Sequence, residues 1–186
     1  MNLRIKRIMC LCVAFVFVFC SCGTKGKDTP KTKSEFPVNP DILILGNGGN
    51  EVEFMSDDKE YSEIISLIKE RTEKSDGFAV ASLDAYDFES GEHMSRELRK
   101  NETFVEFVYN ECKPQSFAMS KAGGGIEVEE FDVRRIFFSL TRDYHDCFFI
   151  GEDDDYKNST TLGPLVDNTT LITYVRDLVA QGTVSE

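Results

Sequence analysis

Apolar residues recur at two different periods along the chain, and the period separates helical from extended segments. From Asp57 to Lys74 the apolar positions are spaced by three and four residues, which places one stripe on a single helix face. The members of this stripe are Tyr61, Ile64, Ile65 and Ile68. A second segment, Thr169 to Gln181, has the same spacing. Asp167 or Asn168 is the N-cap candidate there, and Gly182 follows the last turn. The pattern predicts two main helices, and a shorter one around Glu92 to Lys100.

The remaining apolar runs alternate with polar residues or are short and continuous, which is typical of strands. The stretch DILILGNGGNEVEFM predicts a hairpin, since Asn and Gly residues tolerate the positive φ of a tight turn. Five further strand-like runs are GFAVASL, TFVEFVY, QSFAMS, VRRIFFSLT and DCFFI. In the fourth, Ile136 and Phe138 face one way and Arg135 and Phe137 the other. Short connections favour antiparallel pairing. The predicted fold is α+β, a mostly antiparallel sheet with the two main helices packed on one face.

The first twenty residues carry a different pattern. A cationic start is followed by twelve residues without a charge, IMCLCVAFVFVF, from Ile8 to Phe19. As a helix this run is ~18 Å long, and a membrane span needs about 20 apolar residues. A charged start, a short apolar core and a small-residue exit are typical of a secretory signal. The sequence therefore predicts export.

The exit of the apolar run is Phe19-Cys20-Ser21-Cys22. It resembles the lipobox of bacterial lipoproteins, although Phe19 and Cys20 depart from the more usual residues. The resemblance implies that residues 1–21 are a signal peptide cut before Cys22, and that diacylglycerol is attached to the Cys22 thiol. It also implies lipid anchoring on the outer, extracytoplasmic face of the cell membrane. An ordinary signal cut near Gly23, or an uncut short anchor, are the alternatives.

Charge divides the rest of the chain. Residues 22–40 are rich in Gly, Thr, Ser, Lys and Pro, a composition typical of a flexible tether, with a net charge of +2. Residues 41–186 form one acidic domain with 14 lysines and arginines against 31 aspartates and glutamates, a net charge of −17. An anionic membrane surface attracts the tether and repels the domain. The acidity argues against a nucleic-acid partner, because phosphate binding needs clustered cations.

Metal and nucleophile motifs are weak. The acidic stretch GEDDDYKNST offers Asp153 and Asp155 as weak calcium ligands, but an EF-hand starting at Asp153 would have Asn158 at the glycine position. A solvated turn is the simpler interpretation. His145 and Cys147 are two residues apart, so a Cys–His dyad is a further hypothesis, against a polar turn. No cofactor is predicted.

Cys112 and Cys147 are the thiols that remain after signal removal and lipidation of Cys22. Export places them where disulfides persist. A Cys112–Cys147 bridge and two free thiols are both compatible with the sequence, and the order of the strands separates them.

Two classes of function remain. The first is a lipid-anchored, non-catalytic module that binds an envelope protein, a polymer or a ligand at the cell envelope. The second is an envelope-acting hydrolase that uses Asp and Glu carboxylates. The missing catalytic motifs favour the first class, and a deep cleft with convergent polar groups would bear on the choice.

Overall fold

A seven-stranded antiparallel sheet forms the centre of the domain. The structure is a computed structural model that describes residues 38–73, 77–81, 83, 85–87, 89–141 and 144–182. The predicted signal peptide, Cys22 and the tether as far as residue 37 lie outside the described residues. In the part described, no helix is long and apolar enough to cross a membrane.

The elements follow one another with short connections. The helices are α1 (Lys59–Glu73), α2 (Ser95–Asn101) and α3 (Thr169–Gly182). The strands are β1 (Ile42–Asn47), β2 (Asn50–Met55), β3 (Ala79–Val80), β4 (Tyr86–Asp87), β5 (Glu92–His93), β6 (Thr103–Ser120), β7 (Ile126–Ser139), β8 (Phe148–Gly151) and β9 (Thr160–Gly163). The large sheet has the order β2-β1-β6-β7-β8-β9-β3, and β4 pairs with β5 in a separate ribbon.

The two main helices cover one face of the sheet, as predicted. The α1 stripe is buried, with Tyr61, Ile64, Ile65 and Ile68 between 0% and 6% exposed. From α3, Leu171, Val175 and Val179 enter the same core. Asn168 is the N-cap of α3, because its Oδ1 accepts a hydrogen bond of 3.1 Å from the Leu171 amide. The predicted α+β architecture is confirmed.

The opposite face of the sheet has its own smaller core, which the sequence did not predict. Strand alternation sends Phe104, Phe137 and Phe149 to this side, where Leu98 of α2 and Tyr156 cover them. The ring of Phe104 lies directly over Gly46 of β1, so that even a Cβ there would lie 1.9 Å from Cε1 of the ring. Polar residues on this second face are therefore buried, although polar residues at alternate positions of a strand usually mark a face in contact with solvent.

The strands β6 and β7 form one long hairpin. Two runs predicted separately, TFVEFVY and QSFAMS, belong to β6 and are joined through an irregularity between Val108 and Lys113. This irregularity resets the pairing register with β7. Strand β9, TTLG, was not predicted, because a four-residue run carries little periodic signal.

Candidate functional site

A fully buried carboxylate lies at the centre of the second face. Glu106 of β6 is 0% exposed. Its Oε1 accepts a hydrogen bond from the Tyr156 hydroxyl at 2.7 Å and another from Nη1 of Arg135 at 3.3 Å. Its Oε2 accepts from Nη2 of Arg99. Three donors on one buried carboxylate satisfy a charge that would otherwise destabilise the fold.

This carboxylate belongs to a chain of alternating charges. Arg99 also contacts Glu51 of β2, with 3.2 Å between Nη1 and Oε1. On the other side, Nε of Arg135 donates to Oδ1 of Asp154 at 2.9 Å, and Nε of Arg134 donates to the same oxygen at 3.0 Å. The order is Glu51, Arg99, Glu106, Arg135, Asp154 and Arg134. Since three anions alternate with three cations, the cluster is neutral as a whole.

Arg99 is also held by aromatic rings. Its guanidinium lies 5.2 Å from the ring centroid of Phe104 and 5.7 Å from that of Phe137. The Tyr156 ring meets Phe137 edge to face at 6.5 Å. Such cation–π and edge contacts restrict the side chains to one arrangement. The charged cluster therefore packs against aromatic rings.

A second polar group, centred on His93, adjoins Tyr156. The two rings stack at 5.0 Å with 21° between their planes. The Ser95 amide donates to Nδ1 of His93 at 3.0 Å, so Nδ1 carries no hydrogen and Nε2 faces Ser159 Oγ at 3.1 Å. Burial lowers the pKa of His93 to about 4. The ring is neutral at pH 7 and accepts a hydrogen bond from the first amide of α2.

Backbone strain accompanies this arrangement. Tyr156 has φ of 56°, in the left-handed region that a bulky residue rarely adopts. Its ring covers Gly151 so closely that a Cβ at that position would lie 2.7 Å from the ring. Burial raises the pKa of the Tyr156 hydroxyl well above its usual value, so it stays protonated and keeps donating to Glu106. Strain of this kind persists where the surroundings hold it, and it is found at binding and catalytic sites.

An open cavity of about 320 Å³ lies against the two polar groups. Its walls come from β5, α2 and the turn after β8. The lining residues are Gly91, Glu92, His93, Ser95, Arg96, Arg99, Asp154, Asp155 and Tyr156. Its volume is at the lower end of the range for small-molecule sites.

Most residues of this site were not predicted from the sequence. Of the candidate residues that the structure describes, only Asp155 lines the cavity. A signal was present in TFVEFVY, where Glu106 is the one charged residue within a strongly apolar run. The neighbouring strand β7 carries Arg135 on the same face of the sheet. That pattern identifies a buried ion pair only if the face is known to be covered.

Hydrogen bonds between one side chain and the backbone hold the acidic turn in shape. Oδ1 of Asp153 accepts from the amides of Asp155 and Lys157, both at 3.1 Å. The two arginines that bind Asp154 lower the pKa of its carboxyl, and the hydrogen bond from Arg135 has the larger effect. Over the described residues, no three His, Cys, Asp or Glu side chains converge in a way that could hold a metal ion. The weak calcium site at Asp153 and Asp155 stays a prediction.

Each side chain of the His145 and Cys147 pair has another neighbour in the structure. His145 lies in a turn and its Nε2 is 3.4 Å from Oδ1 of Asp167. The Cys147 sulfur faces the Tyr144 carbonyl at 3.5 Å. Burial raises the pKa of the Cys147 thiol to about 11, the opposite of what a nucleophile needs.

Cys112 and Cys147 are free thiols, and the sheet order explains why. Strand β7 lies between the strands that carry or adjoin them. The Cys112 sulfur is 3.9 Å from the carbonyl of Glu152, which follows the last residue of β8. Cys147 precedes the first residue of β8, five residues before Glu152. Five extended residues span roughly 16 Å, whereas bridged Cα atoms lie within about 7 Å. The strand order that a bridge requires, with the two strands adjacent, is not the order of this sheet.

Thiol labelling of the processed protein checks this arrangement. We expect maleimide to label one cysteine in the native state, the exposed Cys112, and a second, the buried Cys147, only after denaturation without reductant. Intact-mass measurement counts the adducts. Cys112→Ser should remove the adduct that forms in the native state and keep the one that forms after denaturation. Absence of both adducts until reductant is added would establish a bridge.

Comparisons with protein-family models, with curated proteins and with solved structures found no match to this chain.

Proposed function

We propose that the protein is a lipid-anchored, non-catalytic binding module on the extracytoplasmic side of the cell membrane. Support for the location comes from the N-terminal pattern that ends in Ser21-Cys22 and from the charge contrast between the tether and the domain. Support for binding comes from the cavity, whose walls belong to three separate parts of the chain. Ligand sites are concave, and their polar groups fix the orientation of the ligand.

The observation that carries the proposal is that the histidine and the tyrosine of the cavity wall, and the buried Glu106 next to them, are engaged by their neighbours. Both ring nitrogens of His93 face serines, and the Tyr156 hydroxyl donates to Glu106. Glu106 in turn is held by two arginines. Groups fixed in this way keep one shape and one charge state, which suits recognition, whereas a general base needs a free lone pair directed at the substrate.

The carboxylates support a second candidate, a hydrolase. Glu92, Asp154 and Asp155 line the cavity, and glycoside hydrolysis uses two carboxyl groups, one of them protonated. The pKa of Asp154 is lowered by Arg135 and Arg134, so this residue would be the ionised member. This candidate requires Glu92 or Asp155 as the acid.

Lipid attachment is tested at Cys22. We expect Cys22→Ala to abolish incorporation of radiolabelled fatty acid and to leave a longer precursor, because the thiol that carries the lipid is gone. Gel mobility and labelling in cells measure both effects, with Cys20→Ala as the matched control that keeps labelling. Equal labelling of the Cys22→Ala chain would remove the lipoprotein hypothesis.

Binding and hydrolysis are separated by activity. The processed protein is incubated with chromogenic glycosides and esters, beside Asp154→Asn and Asp155→Asn. The proposal expects no turnover above that of the two variants. Turnover that either substitution removes would favour the hydrolase.

A further inference from the structure

The cavity has charges of both signs on its wall. Arg96 and Arg99 carry two positive charges, and Glu92, Asp154 and Asp155 carry three negative ones. Some of these side chains can still form hydrogen bonds with a ligand. Arg96 is 61% exposed and directs Nη1 to Glu92, at 2.5 Å. Both arginine bonds to Asp154 fall on Oδ1, which leaves its second carboxylate oxygen to accept from elsewhere. The wall therefore offers donors and acceptors to a ligand.

These charges restrict the class of ligand. A ligand that enters the cavity displaces water from Arg96 and Asp155, and a neutral polyol returns no charge to compensate that loss. A simple anion is repelled by the three carboxylates and by the net charge of −12 of the whole chain. A simple cation can bind the carboxylates, but it gives the two guanidiniums no anionic group to bind. A molecule with one group of each sign satisfies both parts of the wall.

We propose that the cavity binds a small zwitterion that carries an ammonium and a carboxylate group, such as a free amino acid or a dipeptide. The carboxylate is recognised by the guanidiniums of Arg96 and Arg99, and the ammonium by Asp155 with Glu92 and Asp154. The buried cluster around Glu106 holds Arg99 and Asp154 in place for this role. This inference rests on the proposed binding function and names its ligand class.

Calorimetric titration of the processed, lipid-bearing protein in detergent tests the proposal. The probes are a panel of free amino acids and glycylglycine, with three matched compounds: an N-acetyl amino acid, an amino acid amide and glucose. We expect saturable binding of at least one zwitterion at one site. Loss of either charged group should weaken it at least tenfold, since each removes a charge-assisted contact.

Variants place the ligand in the cavity. Asp155→Asn and Arg96→Gln, both at exposed positions, should each weaken binding about tenfold. Glu130→Gln, an exposed carboxylate on β7 away from the cavity lining, is the control and should leave binding unchanged. Thermal unfolding confirms that all three variants fold.

Three results would overturn the proposal. These are the absence of binding across the zwitterion panel, equal binding of the acetylated and amidated compounds, and equal affinities of Asp155→Asn and the control. Each leaves the fatty-acid labelling at Cys22 intact, so the lipid-anchored module would stand. Recovery of the bound zwitterion as a chemically altered product would instead keep the site and refute a non-catalytic function.

Discussion

Glu106→Gln is expected to lower the free energy of unfolding by about 3–5 kcal/mol, the usual cost of removing one partner from a buried ion pair. The substitution keeps the shape of the side chain but leaves Arg99 and Arg135, whose side chains are 22% and 20% exposed, without their shared carboxylate. Domains of this size are stable by about 5–15 kcal/mol. The loss is therefore a large share of the total.

Urea unfolding followed by circular dichroism measures the effect. Glu130→Gln removes the same charge from an exposed site and should change stability by less than about 0.5 kcal/mol. A combined variant with Glu106→Leu, Arg99→Met and Arg135→Met tests the cause, because apolar replacement of a whole buried ionic group is often neutral. It should cost less than Glu106→Leu alone. If Glu106→Gln behaves like Glu130→Gln, the cluster contributes nothing to stability.

The second large effect concerns pH. We expect the domain to lose up to about 3 kcal/mol of stability between pH 6.5 and pH 4 through His93 alone. Burial lowers the pKa of this histidine to about 4 in the folded state, while the unfolded state titrates near 6.5. In that window the unfolded chain binds the extra proton, so stability falls as the pH falls. Below the folded pKa both states are charged and the contribution is gone.

The physical cause is burial of the ring, which penalises the charged form, and the hydrogen bond at Nδ1 fixes the neutral tautomer. A proton on Nδ1 would face the Ser95 amide, which already donates to that atom, and Asp153 is the carboxylate that partly offsets the cost. His93→Asn keeps an acceptor for the amide but cannot titrate, so it should flatten the difference in unfolding free energy between pH 7 and pH 4. His145→Asn, at the partly exposed histidine beside Asp167, is the control. Equal pH profiles for His93→Asn and the unaltered protein would contradict the assignment.

The sequence alone determined the elements with a strong period. The stripe of Tyr61, Ile64 and Ile68 and the stripe of Leu171 and Val175 became the helices of the main core. Alternation in VRRIFFSLT correctly separated Ile136 and Phe138 from Phe137. These predictions succeeded because one buried face imposes its period on consecutive residues. The α+β architecture followed from them.

Tertiary structure decided which polar residues matter. Glu106, Arg135 and Tyr156 come from three separate segments, and they meet because α2 and the turn after β8 cover the second face of the sheet. Neither segment is strongly periodic. Strand order was decided in the same way: β7 lies between β6 and β8, which keeps Cys112 and Cys147 apart. Local patterns report the burial of a residue by its neighbours in sequence, whereas the cavity and the ion cluster depend on contacts between distant segments.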